Sequence, residues 1–261
     1  MERVSSLEEA AEFVDEVGIA AVWGKADLVL PSLWDVVGGP GADWAIRDEQ
    51  GKPTGFTREF DRLWRWKDEL PERQLSCAGR HFGSAALLIA PRLLAAAYAL
   101  TGRSGKPEDF RAEELSPLER EVAEATLDTG PVSGPELREL LGTEDKKGVD
   151  KAITVLQRRL VLTNAGVFRQ DQGWPAIQHD VFARRWRAHV RRLPSPDEAK
   201  RILARAVLAA TDDLSAADLA GALGWRRKEA AAVLAELAEA GEAAVREEDG
   251  IELWSVRKRR R

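Results

Sequence analysis

The spacing of apolar side chains is most regular in the second half of the chain. Apolar positions fall at Val149, Ile153, Leu156 and Leu160, and the series Ala230, Leu234, Leu237 and Gly241 repeats the same intervals. Steps of three and four are the period of a helix that buries one face. Each of these helices follows a shorter amphipathic segment that opens on a serine, Ser133 or Ser215, and stops at a leucine and a glycine, Gly142 or Gly224. A serine oxygen accepts from the free amides of a helix start, and a glycine takes the left-handed turn that ends one. A further helix precedes each pair, over 116–130 and 195–211, and both open Ser-Pro, a favourable start. Strand-like segments follow each pair, "LVLTNAGVFR" and "EAAVREEDGIELWSV", the latter reversing at Asp249-Gly250 as a hairpin does. Three helices and a β-hairpin, twice over, predict two tandem winged helix-turn-helix domains.

The first 112 residues carry a different pattern. Helical periodicity covers "SLEEAAEFVDEVG", "LPSLWDVV" and "FTREFDRLWRWKDEL", while "IAAVWG" and "RQLSCAGRHFG" read as strands. An apolar stretch over 84–100 is interrupted by Pro91-Arg92 and is too short on either side to span a bilayer. Five of the nine tryptophans lie here, Trp23, Trp34, Trp44, Trp64 and Trp66. So many large rings in a small domain point to a core, with a shallow aromatic cleft as the alternative. "TGRSGKPEDF" (101–110) reads as a linker. The expected organisation is a Trp-rich α+β domain over 1–112, a winged helix with a basic C-terminal helix over 113–193, a second winged helix over 194–256 and a basic tail over 257–261. The fold class is mainly α with small β, that is, α+β.

Composition narrows the functions. A net charge of −5 disfavours a protein that coats nucleic acid indiscriminately, since such affinity comes from neutralising phosphates. Contacts with DNA must come from local basic faces. One cysteine, Cys77, excludes an intrachain disulfide framework, and with no apolar signal core at the start the expected location is the cytoplasm. Cys77 and His81 alone do not make a metal site. In "SGKPED" and "GKPTG" a proline stands where a phosphate loop needs Ser or Thr, and no Gly-x-Ser-x-Gly elbow occurs. No cofactor, metal or membrane is expected. Lys67-Asp68-Glu69 reads as a solvated helix end before Pro71.

In a helix-turn-helix the exposed face of the second helix meets the major groove. In the first unit that face is Lys147, Lys151, Thr154 and Arg158, flanked by Lys146, Gln157 and Arg159, which suits phosphates and base edges. In the second it is Lys228, Ala232, Ala235 and Glu239, and only Arg226, Arg227 and Lys228 could grip a phosphate. The acidic second unit is therefore expected to pack against the rest of the protein. A helix over 179–193 would align Phe182, Trp186, Val190 and Leu193 on one stripe and Arg184, Arg187 and Arg191 on another, a basic ridge beside the first unit. "RKRRR" (257–261) adds sequence-independent attraction to polyanions.

Together with the tandem winged helices, "FVDEVGIAAVW", "LPSLWDVV", "WRWKDELP" and "GWPAIQHDVFARRW" resemble the AlkZ/YcaQ-like superfamily, and most closely its shorter AlkZ-related winged-helix members. The resemblance implies DNA binding linked to repair, since that superfamily includes glycosylases that unhook interstrand crosslinks and excise bulky alkylated bases. Those enzymes use a Gln-x-Gln or Gln-x-Asp pair in their N-terminal portion. The corresponding "EVGIAAVWGKADLVLPSLWD" contains no glutamine. Gln170, Asp171 and Gln172 match the letters but follow the first recognition helix, where Asp171-Gln172-Gly173 suits a wing tip. The expectation is a double-stranded DNA-binding protein of repair or transcription without robust catalysis. Two alternatives stay open: a divergent glycosylase that uses Gln170, Asp171 and Gln172, and a protein-interaction or homodimerisation module.

Overall fold

A computed structural model describes residues 3–24, 28–83, 85–169 and 175–257. The chain opens with α1 (Leu7–Val17), capped by Ser6, β1 (Ile19–Ala21) and α2 (Leu33–Val37), capped by Ser32. A hairpin of β2 (Ala45–Arg47) and β3 (Pro53–Phe56) comes next. The helical pattern around the second tryptophan cluster forms α3 (Arg58–Glu72). It is followed by β4 (Cys77–Gly79), β5 (Leu87–Ile89) and, beyond Pro91, α4 (Leu94–Ala99). Strands β1, β5 and β4 form an antiparallel sheet with β5 in the middle.

Side chains alternate across a strand, and here both faces of the sheet are buried. Ala20, Leu88 and Ala78 face a core made by Phe13 and Val14 of α1, Leu33 and Trp34 of α2, and Leu63, Trp66 and Leu70 of α3. Ile19, Ala21, Leu87, Ile89 and Cys77 face the other way, into a larger core.

The rest of the chain runs twice through helix, short strand, helix, helix and hairpin, the order of elements of a winged helix. The first unit has α5 (Pro117–Thr129), β6 (Val132–Ser133), α6 (Gly134–Leu140), α7 (Lys146–Arg158), β7 (Leu162–Phe168) and β8 (Ala176–Val181). The second has α9 (Pro196–Ala209), β9 (Leu214–Ser215), α10 (Ala216–Leu223), α11 (Arg227–Glu239), β10 (Ala243–Glu248) and β11 (Ile251–Val256). Between them stands the single turn α8 (Phe182–Arg185). Ser133 and Ser215 each close a capping box, and Ser116 and Ser195 cap the Ser-Pro helices. Asp249 and Gly250, at φ 51° and 75°, join β10 to β11 through the primed two-residue turn that matches strand twist.

The first unit has its own core, including Val122, Leu137, Val149, Ile153, Leu156 and Val181. Phe110, at the end of the expected linker, is buried within it, and Tyr98 donates to Asp109 at 2.8 Å. That segment is therefore pinned at Asp109 and Phe110. The second unit has no separate core. Leu203 and Val207 of α9, Leu219 of α10 and Leu234 of α11 share the larger core with the β1–β5–β4 sheet and α4.

The helix expected over 179–193 does not form. Residues up to Val181 are taken by β8, the central strand of the β6–β8–β7 sheet. After α8 the chain continues in turns, although Phe182, Trp186 and Val190 are fully buried as their spacing predicts.

Candidate nucleic-acid interface

Helix α7 is positioned by its apolar stripe. Asp145 caps it, accepting from the Gly148 amide at 2.9 Å. Val149, Ala152, Ile153 and Leu156 enter the first unit's core, and the opposite side exposes Lys146, Lys147, Lys151 and Arg158. The helix carries a single acid, Asp150, and no ion pair among the described residues engages these four cations. Thr154 is half-buried and donates to the Asp150 carbonyl at 2.9 Å. Arg158 donates from Nε to the Gly83 carbonyl at 3.1 Å yet stays exposed.

Gln157, expected beside this face, is instead buried at 5 % exposure. Its Nε2 donates to Asn164 Oδ1 at 2.7 Å and lies 3.3 Å from His179 Nδ1, and its Oε1 accepts from the Arg80 amide at 3.0 Å. His81 Nδ1 lies 2.8 Å from the Gln157 carbonyl and its Nε2 3.3 Å from Cys77 Sγ. The helical period placed Gln157 one step from Arg158, but that step turns inward, toward the chain segment after β4. Burial pushes the Cys77 thiol up to about 12 and holds both His81 and His179 down to about 4. The thiol thus keeps its proton and the imidazoles stay neutral near pH 7. This is a satisfied polar seam, and no group of three or more potential metal-ligating side chains occurs among the described residues.

The expected arginine ridge is divided. Arg184 turns inward to Asp180 at 2.6 Å and to the Leu127 and Thr126 carbonyls at 2.7 and 2.8 Å. Arg185 donates to the Pro71 and Glu72 carbonyls at 2.5 and 3.0 Å, and so caps the C-terminus of α3. Arg187 and Arg191 are exposed. Gln170, Asp171 and Gln172 lie outside the described residues; the strands on either side pair as far as Phe168 and Ala176.

At the start of α11, Arg226, Arg227 and Lys228 are all exposed. They follow Trp225, which lines a groove of about 560 Å³ together with Phe82, Glu114, Arg158, Leu160 and Gly224. The sequence pattern did not show that the end of α7 and the turn before α11 would meet. They do so through the turn after β4, which comes from the first 112 residues.

The tryptophans also divide. Trp34 and Trp66 are core residues, whereas Trp44, Phe56 and Trp64 are 43, 44 and 36 % exposed. Phe60 stacks on Phe56 at 4.6 Å and on Trp64 at 5.7 Å between ring centroids. Lys67 Nζ sits 4.2 Å over the Trp64 ring and pairs with Asp68 at 2.7 Å. Each of that pair is only 16 % exposed, so the expected solvated helix end is a half-buried ion pair, with the Asp68 carboxyl raised by burial.

The family model described as "AlkZ related" matches residues 4–224, from α1 to the turn before α11. The chain belongs to the AlkZ-related family. A search of curated proteins finds no match. Among solved structures the chain is similar to the Streptomyces sahachiroi DNA glycosylase AlkZ, with a TM-score of 0.55 and 17% sequence identity over 98% of this chain. At that identity the likeness is one of fold, and this AlkZ-related chain covers 65% of that glycosylase. No helix among the described residues is long and apolar enough to cross a membrane.

Proposed function

We propose that this AlkZ-related protein binds double-stranded DNA in a repair context through the exposed face of α7. One observation carries the reading. In a chain of net charge −5, α7, which stands where a helix-turn-helix has its second helix, presents Lys146, Lys147, Lys151 and Arg158 to solvent with one acid among them. Such a face neutralises phosphates and reaches the major groove. Family membership and the fold shared with a DNA glycosylase support the reading. Binding of a 20-base-pair duplex should weaken steeply as salt rises. Lys151→Glu with Arg158→Glu should remove most of the affinity while leaving the circular dichroism spectrum unchanged. Absence of binding even at low salt would sink the proposal.

The likeness to a glycosylase favours a second reading, base excision, which the chemistry near β1 does not support. Ile19, Ala20, Ala21 and Val22 are apolar and buried, whereas hydrolysis needs a polar group to orient water, which the resemblance to the glycosylases would place in this N-terminal region. We expect no abasic sites when purified protein is incubated with alkylated duplex DNA. Abasic sites that disappear in the Gln170→Ala plus Gln172→Ala variant would reverse this.

A further inference from the structure

We infer that the groove between the end of α7 and the turn before α11 is a small-molecule site, and that its ligand is a zwitterion with an aromatic body, the chemistry of an aromatic α-amino acid. The site goes beyond the α7 reading and shares only Arg158 with it. Ligand sites form preferentially where structural units meet, as apolar hollows of roughly 300–1,000 Å³ with a few fixed polar groups. This groove has about 560 Å³, and the end of α4 and the turn after β4 also line it. Its apolar lining is Ala97, Leu100, Leu160 and Leu223 with Phe82 and Trp225, the last two half-buried. An aromatic body would bury the accessible part of those two rings, and aromatic pairs gain more than their area alone provides.

The walls are fixed before any ligand arrives. The Phe82 carbonyl presses on Gly224 so closely that a Cβ there would lie 2.0 Å from it, and Phe82 itself is held at φ 64°. Arg158 donates from Nε to the Gly83 carbonyl at 3.1 Å, and Arg159 donates to the Glu114 carbonyl at 2.6 Å. Walls already in place spare a ligand the entropy of ordering them.

Charge narrows the occupant. The charged residues of the lining are Glu113, Glu114, Arg158 and Arg159. Glu113 is neutralised by Arg103 at 3.0 Å and Arg159 at 3.2 Å. Arg158 and Glu114 are both exposed, and neither enters an ion pair among the described residues. With Nε of Arg158 engaged, its Nη groups are left to meet a carboxylate, whose geometry a guanidinium fork matches. The Glu114 carboxylate is left to meet an ammonium. A simple anion would be repelled by Glu114 and a simple cation by Arg158, so the groove suits a molecule that carries both charges beside an aromatic body.

The experiment titrates the full chain with L-phenylalanine by isothermal titration calorimetry, beside three probes that each lack one part. Phenethylamine lacks the carboxylate, N-acetyl-L-phenylalanine the ammonium and glycine the ring. L-phenylalanine should bind, and each of the others should bind at least about tenfold more weakly, the loss expected for a missing charge-assisted hydrogen bond or an unfilled apolar hollow. Arg158→Gln and Glu114→Gln should each weaken L-phenylalanine by about the same factor. No binding of L-phenylalanine at millimolar concentration overturns the proposal. Binding that neither substitution weakens also overturns it, since the molecule then sits elsewhere, and sensitivity to only one of them would mean a singly charged ligand. Equal binding of all three phenyl compounds would make the groove an apolar crevice without charge recognition. Both substituted positions are exposed, and circular dichroism checks the fold. DNA is absent throughout, so failure here is separate from failure of the α7 reading.

Discussion

Gly142 and Gly224 occupy equivalent places in the repeat, and the sequence gives no reason to treat them differently. Both have positive φ, 61° and 68°, so a side chain at either costs roughly 1 kcal/mol for the left-handed backbone. Their surroundings differ. A Cβ at Gly142 meets nothing within 4 Å, whereas at Gly224 it collides with the Phe82 carbonyl. Gly224→Ala should therefore lower the thermal midpoint well beyond Gly142→Ala, which should fall by only a few degrees. Equal losses would mean that the Phe82 turn yields freely.

At the scale of elements, the seam between α7, β7, β8 and the segment after β4 makes stability depend on pH. His81 and His179 titrate near 4 in the fold against 6.5 when free. The unfolded chain therefore binds more protons between those values, and stability rises with pH across that window. It should be fully present above about 6.5 and decline as pH falls toward 4, by up to roughly 3 kcal/mol per histidine. Urea midpoints measured from pH 7.5 to 4.5 check this; a double variant, His81→Gln with His179→Gln, should flatten the decline.

The elements themselves were largely legible. Serine caps, Leu-Gly stops and helical apolar steps located α5, α6, α7, α9, α10 and α11, because those signals are local. Phe182, Trp186 and Val190 satisfy a helical stripe over 179–193, whereas β8 is imposed by pairing with β7 across the hairpin and with β6, more than forty residues earlier. The β2–β3 hairpin gave little signal, with Pro53 and Gly55 inside it. For the candidate site, exposure of Lys146, Lys147 and Lys151 followed from the period. The inward turn of Gln157 and Arg184, and the meeting of α7 with the turn before α11, depend on tertiary contacts that no local pattern encodes.

On the scale of the whole molecule, one buried core unites the β1–β5–β4 sheet, α4, the turns after β8 and the second unit. Denaturation should then be a single transition by far-UV dichroism and by tryptophan fluorescence alike. Leu203→Ala, at a fully buried position of α9, should shift both signals together, with a loss of roughly 2–5 kcal/mol. Two resolved transitions would show that the units unfold independently.

The alternation of side chains on β1, β5 and β4 has a consequence for synthesis. During translation the sheet emerges before the second unit, yet Ile19, Leu87 and Ile89 share a buried core with residues more than a hundred positions later. Until α9 and α11 leave the ribosome, one side of the sheet has only part of its cover, α4. Contacts so distant along the chain slow folding, and the interval leaves a nascent chain open to aggregation. The second unit is thus needed to complete a sheet made before it.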